Sequence, residues 1–236
     1  MRLLLTRPHT DSESIARQLR DQNDACLIDP LMSFEPIDIK LPMLSDYQAI
    51  LFTSSNGVRA FEMSSSIRDN NVFTVGDKSA EKAKNAGFHH VTSANGDLRK
   101  LSDTINDQLN PDNGSLLYIC GKHQSGDLKQ TLNRHNFIVD KYEIYEMIAA
   151  SYLSEQTQDS LKKQEIDYIP FYSVRSAHIF IELIKKAELQ YTLSTISALC
   201  LSPAIEKVIE TLKWKNIMTS ETPDQYTLFK LIDIEL

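Results

Sequence analysis

The sequence has little of what usually announces a function. Its three cysteines, Cys26, Cys120 and Cys200, are too few and too scattered for a disulfide framework or a thiolate metal centre. Each lies in or at the end of an apolar stretch, where a thiol behaves as a small buried hydrophobe. The six histidines, at positions 9, 89, 90, 123, 135 and 178, show no ligand spacing with cysteine or acid, so no metal is expected. Seven glycines and eight prolines in 236 residues argue against long disordered tracts. No stretch approaches the roughly 20 apolar residues that cross a bilayer, and the apolar run within residues 1–8 is too short for a signal peptide. No membrane partner is expected, and the cytoplasm is the expected location. With a net charge of −7 and no window dense in lysine and arginine, nucleic acid is not an expected partner either. A Walker A run, a GxGxxG fingerprint and a GxSxG elbow are all missing, which excludes most nucleotide enzymes.

What is present is a repeat. Residues 52–61 read Phe-Thr-Ser-Ser-Asn-Gly-Val-Arg-Ala-Phe and residues 171–180 read Phe-Tyr-Ser-Val-Arg-Ser-Ala-His-Ile-Phe, 119 positions apart. Both run from an apolar segment through hydroxyls into a helix start. A second pair follows: Thr92-Ser93 precedes a helical pattern at 97–109 and Thr219-Ser220 precedes one at 223–234, offset by 127. Two offsets that agree to within a small insertion imply one fold used twice, with function expected where the copies face each other.

Around the repeat the chain alternates short apolar runs with helical periodicity. Strands are expected at 2–6, 25–29, 49–53, 72–75, 115–120, 167–172, 196–201 and 217–219. A capping box, Thr10-Asp11-Ser12-Glu13, opens the first helix. Further helices are expected at 56–67, at 79–86 closed by Gly87 as a left-handed cap, around Leu128 and Leu132, and at 155–164, 177–186 and 203–212. Such alternation predicts parallel sheets covered by helices. Residues 33–40, punctuated by Pro36, and 137–149, where Tyr142, Ile144, Tyr145 and Met147 interleave with charges, read as extended crossings that could pair. Because residues 150–236 supply only three strands, residues 1–32 most economically complete their sheet. The expected fold class is therefore α/β: two similar parallel-sheet domains, the first discontinuous and flavodoxin-like, joined by a two-stranded β-ladder linker. The expected boundaries are 1–32 with 150–236, an inserted domain at 41–136, and linker strands at 33–40 and 137–149.

In such folds ligands bind outside the carboxyl ends of the strands, where helix N-termini present free N–H groups. The loops at those ends contain Thr6-Arg7-Pro8, Ser54-Ser55-Asn56-Gly57, Gly76-Asp77-Lys78-Ser79, the 121–126 segment with Lys122 and His123, Ser173-Val174-Arg175-Ser176 and Ser202-Pro203. Hydroxyls with a few cations suit an anionic ligand; taken one loop at a time, the same serines suit plain helix capping. Tyr145 is either a half-buried aromatic of the crossing strand or a phenol projecting into an interdomain cleft as a hydrogen-bond or proton donor.

Taken in order, Leu5-Thr6-Arg7-Pro8, Phe52-Thr53-Ser54 with Gly57-Val58 and Ala60-Phe61, Val75-Gly76-Asp77-Lys78-Ser79-Ala80, Cys120-Gly121, Ile144-Tyr145-Glu146, Phe171-Tyr172-Ser173 and Leu201-Ser202-Pro203 resemble the uroporphyrinogen-III synthase family over essentially the whole chain. The resemblance implies two α/β domains joined by a two-stranded ladder. It also implies a cofactor-free lyase that closes linear hydroxymethylbilane into uroporphyrinogen III with inversion of the last ring and loss of water. The substrate would be handed over from hydroxymethylbilane synthase, and a monomer is expected. Carried over by position, Tyr145 falls on a tyrosine that assists departure of the hydroxyl. Ser79, Ser54 and Ser173 fall on substrate-binding hydroxyl positions, with Thr53, Lys78 and Arg7 as neighbours, and Lys122 with His123 as substitutes for the arginines that many members carry in the loop after Cys120-Gly121. The chain departs from the pattern at Ser125, where many members carry arginine, and at Ala204-Ile205, where they carry two threonines. A non-catalytic tetrapyrrole- or anion-binding module on the same scaffold, and a flavodoxin-like redox protein, stand as alternatives.

Overall fold

The computed structural model describes residues 1–20, 25–124 and 126–234. In chain order the elements are β1 (Arg2–Leu5), α1 (His9–Arg20), β2 (Ala25–Ile28), β3 (Met32–Pro36), β4 (Tyr47–Phe52), α2 (Ser55–Ser64) and β5 (Asn71–Thr74). Next come α3 (Asp77–Asn85), β6 (Val91–Ser93), α4 (Leu98–Gln108), β7 (Ser115–Gly121), α5 (Leu128–Asn133) and β8 (Val139–Ala149). The chain ends with α6 (Glu155–Lys162), β9 (Tyr168–Phe171), α7 (Val174–Lys186), β10 (Ser197–Cys200), α8 (Pro203–Ile209), β11 (Asn216–Thr219) and α9 (Gln225–Lys230). It divides into two compact units, one made of Met1–Ser33 with Ile148–Leu236 and the other of Phe34–Met147.

In the first unit the strand order is β11-β10-β9-β1-β2, all in parallel. The Leu3-Leu4-Leu5 run shows why a continuous apolar strand is buried on both faces. Leu3 and Leu5 pack with Ile15 and Leu19 of α1 and Phe229 of α9, while Leu4 points the other way, into a cluster with Ile169, Phe171 and Phe180. Pro170 sits inside β9, between β10 and β1, where a residue without an N–H is unusual. The register fits this: β9 pairs with β10 over four residues but with β1 only at Leu3↔Tyr168.

The second unit is built on the sheet β3-β8-β7-β4-β5-β6. The same alternation holds here. Ala49 and Leu51 of β4, with Leu116, Tyr118 and Cys120 of β7, face α4 and α5 through Leu101, Ile105, Leu128 and Leu132. Ile50 and Phe52, with Leu117 and Ile119, face α2 and α3 through Val58, Phe61 and Ala83. The run β9-β10-β11 follows the same order as β4-β5-β6, so the two copied segments open equivalent steps. Ser54 caps α2 by accepting the Gly57 N–H, with φ −155° and ψ 156°, and Ser173 caps α7 by accepting the Ser176 N–H, with φ −154° and ψ 150°. On the other flank, β1-β2 occupy the places that β7-β8 take in the second sheet.

Several sequence expectations need correction. The capping box does not open the first helix: α1 starts at His9, and the Pro8 carbonyl accepts the Asp11 and Ser12 N–H groups. The Ser12 hydroxyl turns back to the Arg7 carbonyl at 2.9 Å. Helix α3 starts two residues earlier than expected, at Asp77, which places Lys78 and Ser79 in its first turn. The last helix is shorter than 223–234: Asp224 caps its start by accepting the Thr227 N–H, and it ends at Lys230, ahead of Asp233 in the left-handed region at φ 58°. Val91–Ser93, read only as hydroxyls ahead of a helix, forms a three-residue strand. The 137–149 segment is more than a crossing: from Val139 to Glu143 it pairs in parallel with β7, because Val139 and Ile144 find buried places in the second unit's core. Gly87 does take the left-handed conformation, at φ 97°. Ser125 lies outside the described residues, as do residues 21–24 and 235–236.

Candidate functional site

The carboxyl edges of four neighbouring strands of the second unit, β7, β4, β5 and β6, enclose a cleft of about 450 Å³. Thr53 and Ser54 reach it from the end of β4, and Val75 from the end of β5. Asp97, Leu98 and Arg99 reach it from the start of α4, and Gly121, His123, Gln124 and Gly126 from the loop after β7. Tyr118 and Tyr145 complete the lining.

Tyr145 is the most constrained of these side chains. It is 7% exposed, its ring stacks on Phe34 with centroids 5.5 Å apart, and the Arg59 guanidinium lies 4.2 Å above the Phe34 ring. Its other neighbour is Gly121, where a Cβ would come within 2.7 Å of Cε2 and Cζ of the tyrosine, so only glycine leaves room for the ring. The phenol oxygen is 2.8 Å from Ser54 Oγ. That serine already accepts the Gly57 N–H at 3.2 Å, so its own hydrogen can go to Tyr145 and leave the phenol O–H for a ligand. Burial raises the Tyr145 pKa above the ordinary phenol value, against the opposing hydrogen bond from Ser54, which keeps the group protonated at neutral pH.

The residues expected from the sequence fall into two groups. Thr53, Ser54 and Tyr145 come together in the cleft. Ser79 lies close behind, 7% exposed, with its hydroxyl 3.5 Å from that of Ser55, whereas Lys78 points to solvent from the first turn of α3. Lys122 Nζ pairs with Glu146 at 2.6 Å and is not among the cleft-lining residues. Arg7 and Ser173 belong to the first unit, at the carboxyl ends of β1 and β9. Arg7 pairs with Asp11 at 2.5 Å, and its guanidinium lies 4.5 Å from the centroid of the Tyr172 ring. The Ser173 hydroxyl is engaged in capping: it accepts the Ser176 N–H at 3.1 Å and donates to Ser176 Oγ at 2.9 Å.

Sequence reasoning missed Tyr118, Asp97 and Arg99. Tyr118 stands in an apolar strand, where its hydroxyl was the available signal, since a buried phenol needs a partner. Asp97 and Arg99 open α4, a helix that was recognised without its loop being counted among the strand ends. Among the described residues no group of histidine, cysteine and acid side chains could hold a metal ion, and no helix is long and apolar enough to cross a membrane. The Cys120 and Cys200 thiols are buried and pushed up to about 12 by that burial, which makes them poor nucleophiles.

Parallel sheets with a hydroxyl-lined cleft at their carboxyl edge define an α/β protein that takes its ligand at the strand ends. Comparison narrows the class. The family described as uroporphyrinogen-III synthase HemD matches residues 13–230, and the chain belongs to the uroporphyrinogen-III synthase family, whose members are enzymes of tetrapyrrole biosynthesis. Among solved structures it is similar to the uroporphyrinogen-III synthetase of Helicobacter pylori, at 16% identity and a TM-score of 0.69 over 98% of both chains. It is also similar to a mutant uroporphyrinogen III synthase of the extremely thermophilic bacterium Thermus thermophilus, at 15% identity and a TM-score of 0.52 over 94% of both chains. Identities this low speak for the fold alone. No curated protein matches the sequence significantly.

Proposed function

We propose that this enzyme converts linear hydroxymethylbilane to uroporphyrinogen III with inversion of the terminal ring and loss of water, and that Tyr145 is its proton donor. The observation that carries the reading is the Tyr145–Ser54 pair: a buried, protonated phenol held by a capping serine at the edge of a hydroxyl-lined cleft. Loss of the terminal hydroxyl requires a proton and leaves an azafulvenium cation on the first ring. Attack by the substituted carbon of the last ring gives a spiro intermediate, which fragments and recloses inverted. The proton spent on the departing water is regained when the reclosed ring loses its own and becomes aromatic. Unguided closure gives the uninverted isomer, so the protein's main task is to hold the geometry and stabilise cationic intermediates.

The substrate's eight carboxylates fit a site of amides, hydroxyls and a few cations. In this reading Thr53, Ser54, Ser79, Lys78 and Lys122 bind substrate from the second unit, and Arg7 and Ser173 bind it from the first. The two compact units act as similar domains, the first discontinuous. The chain passes between them within β3 and within β8, and the hydrogen bond from Ile37 N–H to the Ile144 carbonyl, 2.9 Å, supports reading that pair as a ladder-like linker. The protein works as a cytoplasmic monomer that receives its substrate from hydroxymethylbilane synthase. The test is a coupled assay with that synthase, followed by oxidation and chromatography of the porphyrin isomers. Type III product is expected; type I alone would refute the assignment.

A further inference from the structure

Residues 53 and 54 each hold a tyrosine at the floor of the same cleft. Ser54 holds Tyr145 at 2.8 Å, and Thr53 Oγ1 lies 3.3 Å from the hydroxyl of Tyr118. The second contact is long for a bond between hydroxyls, which prefer about 2.7–2.8 Å. Tyr118 comes up from β7 on the opposite side of the sheet from the Phe52 and Ile119 layer, 1% exposed and packed with Leu101, Leu128 and Cys120, and is one of the residues that line the cleft. A phenylalanine would fill the same apolar space, so the hydroxyl is the part that packing leaves unexplained. Burial pushes the phenol up to about 12, so it acts at neutral pH as a hydrogen-bond donor. The same cleft is lined by Arg99 and His123, side chains suited to an anionic group.

We propose that Tyr118 is a second substrate-contacting phenol, which donates its O–H to a carboxylate of the bound tetrapyrrole and so positions the chain of rings against Tyr145. This rests on the function proposed above. Thr53 would then hold the phenol until substrate arrives and offer its own hydroxyl to the same carboxylate. Tyr118 supplies binding rather than a proton for the chemical step, so its loss should fall on KM.

The test is Tyr118→Phe, which keeps the ring and removes one oxygen. In the coupled assay KM for hydroxymethylbilane is expected to rise about tenfold with kcat within about twofold, as for a hydrogen bond to a charged group in a partly open site. The Kd for uroporphyrin III, read by fluorescence quenching, is expected to rise by a similar factor. A purely structural role for the hydroxyl predicts a lower Tm with KM and Kd unchanged, and that result overturns the inference. If the wild type forms no type III isomer the reaction assignment fails instead. The Kd comparison still decides the inference in that case, since equal affinities in wild type and Tyr118→Phe would refute it.

Discussion

Replacing Gly121 by alanine tests the geometry around Tyr145 more directly than changing the tyrosine itself. The added methyl would lie 2.7 Å from Cε2 and Cζ of the ring and 3.1 Å from its hydroxyl, well inside van der Waals contact. The ring cannot slide away freely, because Phe34 stacks on it at 5.5 Å and Arg59 lies over Phe34. Overpacking of this kind costs about 1–3 kcal/mol, equivalent to a fall in Tm of roughly 2–4 °C per kcal/mol for a chain of this length. The displaced phenol would also leave its 2.8 Å partner at Ser54, so formation of type III product is expected to fall along with stability. A double-mutant cycle with Tyr145→Ala isolates the cause. With the ring gone the methyl has space, and Gly121→Ala should then cost less than about 0.5 kcal/mol by urea denaturation. If it costs as much in the Tyr145→Ala background as in the wild type, the methyl does not collide with that ring and the constraint on Tyr145 is wrong.

Tyr145→Phe is expected to lower kcat for type III formation by about 100-fold, the lower end of what a positioned proton donor contributes, while circular dichroism stays native; an unchanged kcat would remove Tyr145 from the chemistry. Ser54→Ala should cost about 0.5–2 kcal/mol as a lost helix cap and lower kcat as well, because the same oxygen holds both the Gly57 N–H and Tyr145. Ser173→Ala, with its hydroxyl occupied by Ser176, should match the stability loss without the same loss of kcat; equal kinetic effects from the two serines would contradict the assignment. For pH, Tyr118 loses its proton near 10 in the unfolded chain and at about 12 when folded, because burial disfavours the phenolate. Its contribution is therefore complete below pH 10 and is lost as the pH rises from 10 to 12, by at most roughly 2–3 kcal/mol. Urea denaturation at pH 9 and pH 11.5 should show wild type losing more stability than Tyr118→Phe over that interval, and parallel losses would contradict the burial argument.

The fold was largely legible because its strands are short apolar runs separated by periodic helices, and because 52–61 and 171–180 repeat the same strand, hydroxyl and helix start. Ser54 and Ser173 take nearly identical backbone angles as caps, which is what two copies of one local sequence should do. Helix starts were less legible where the cap was not a side chain. At α1 the carbonyl of Pro8 receives the first N–H groups, and at α3 Gly76 precedes the helix with no side-chain cap, so neither leaves a residue signature. Tyr145 could be found through its place in a recognised pattern. Tyr118 could not, because its ring satisfies the apolar rhythm of β7 and so reads as core. The partner of Lys122, Glu146, stands 24 positions away in β8, so nothing in the sequence around the lysine announced that pair.

The place of β1 has a consequence for the order in which the protein can be made. Its neighbours in the sheet are β2 and β9, and β9 ends at Phe171. When the ribosome has finished Met147, every residue of the inserted unit exists, while the first strands of the other unit have only each other. A two-stranded pair is marginal in water, so β1 and β2 wait for their sheet until β9, β10 and β11 have followed. At about 5–20 residues per second that wait lasts roughly 10–40 s, during which the Leu3-Leu4-Leu5 run has no completed sheet to bury it. The unit that carries Tyr145 is thus the one whose assembly depends on nothing still to be synthesised.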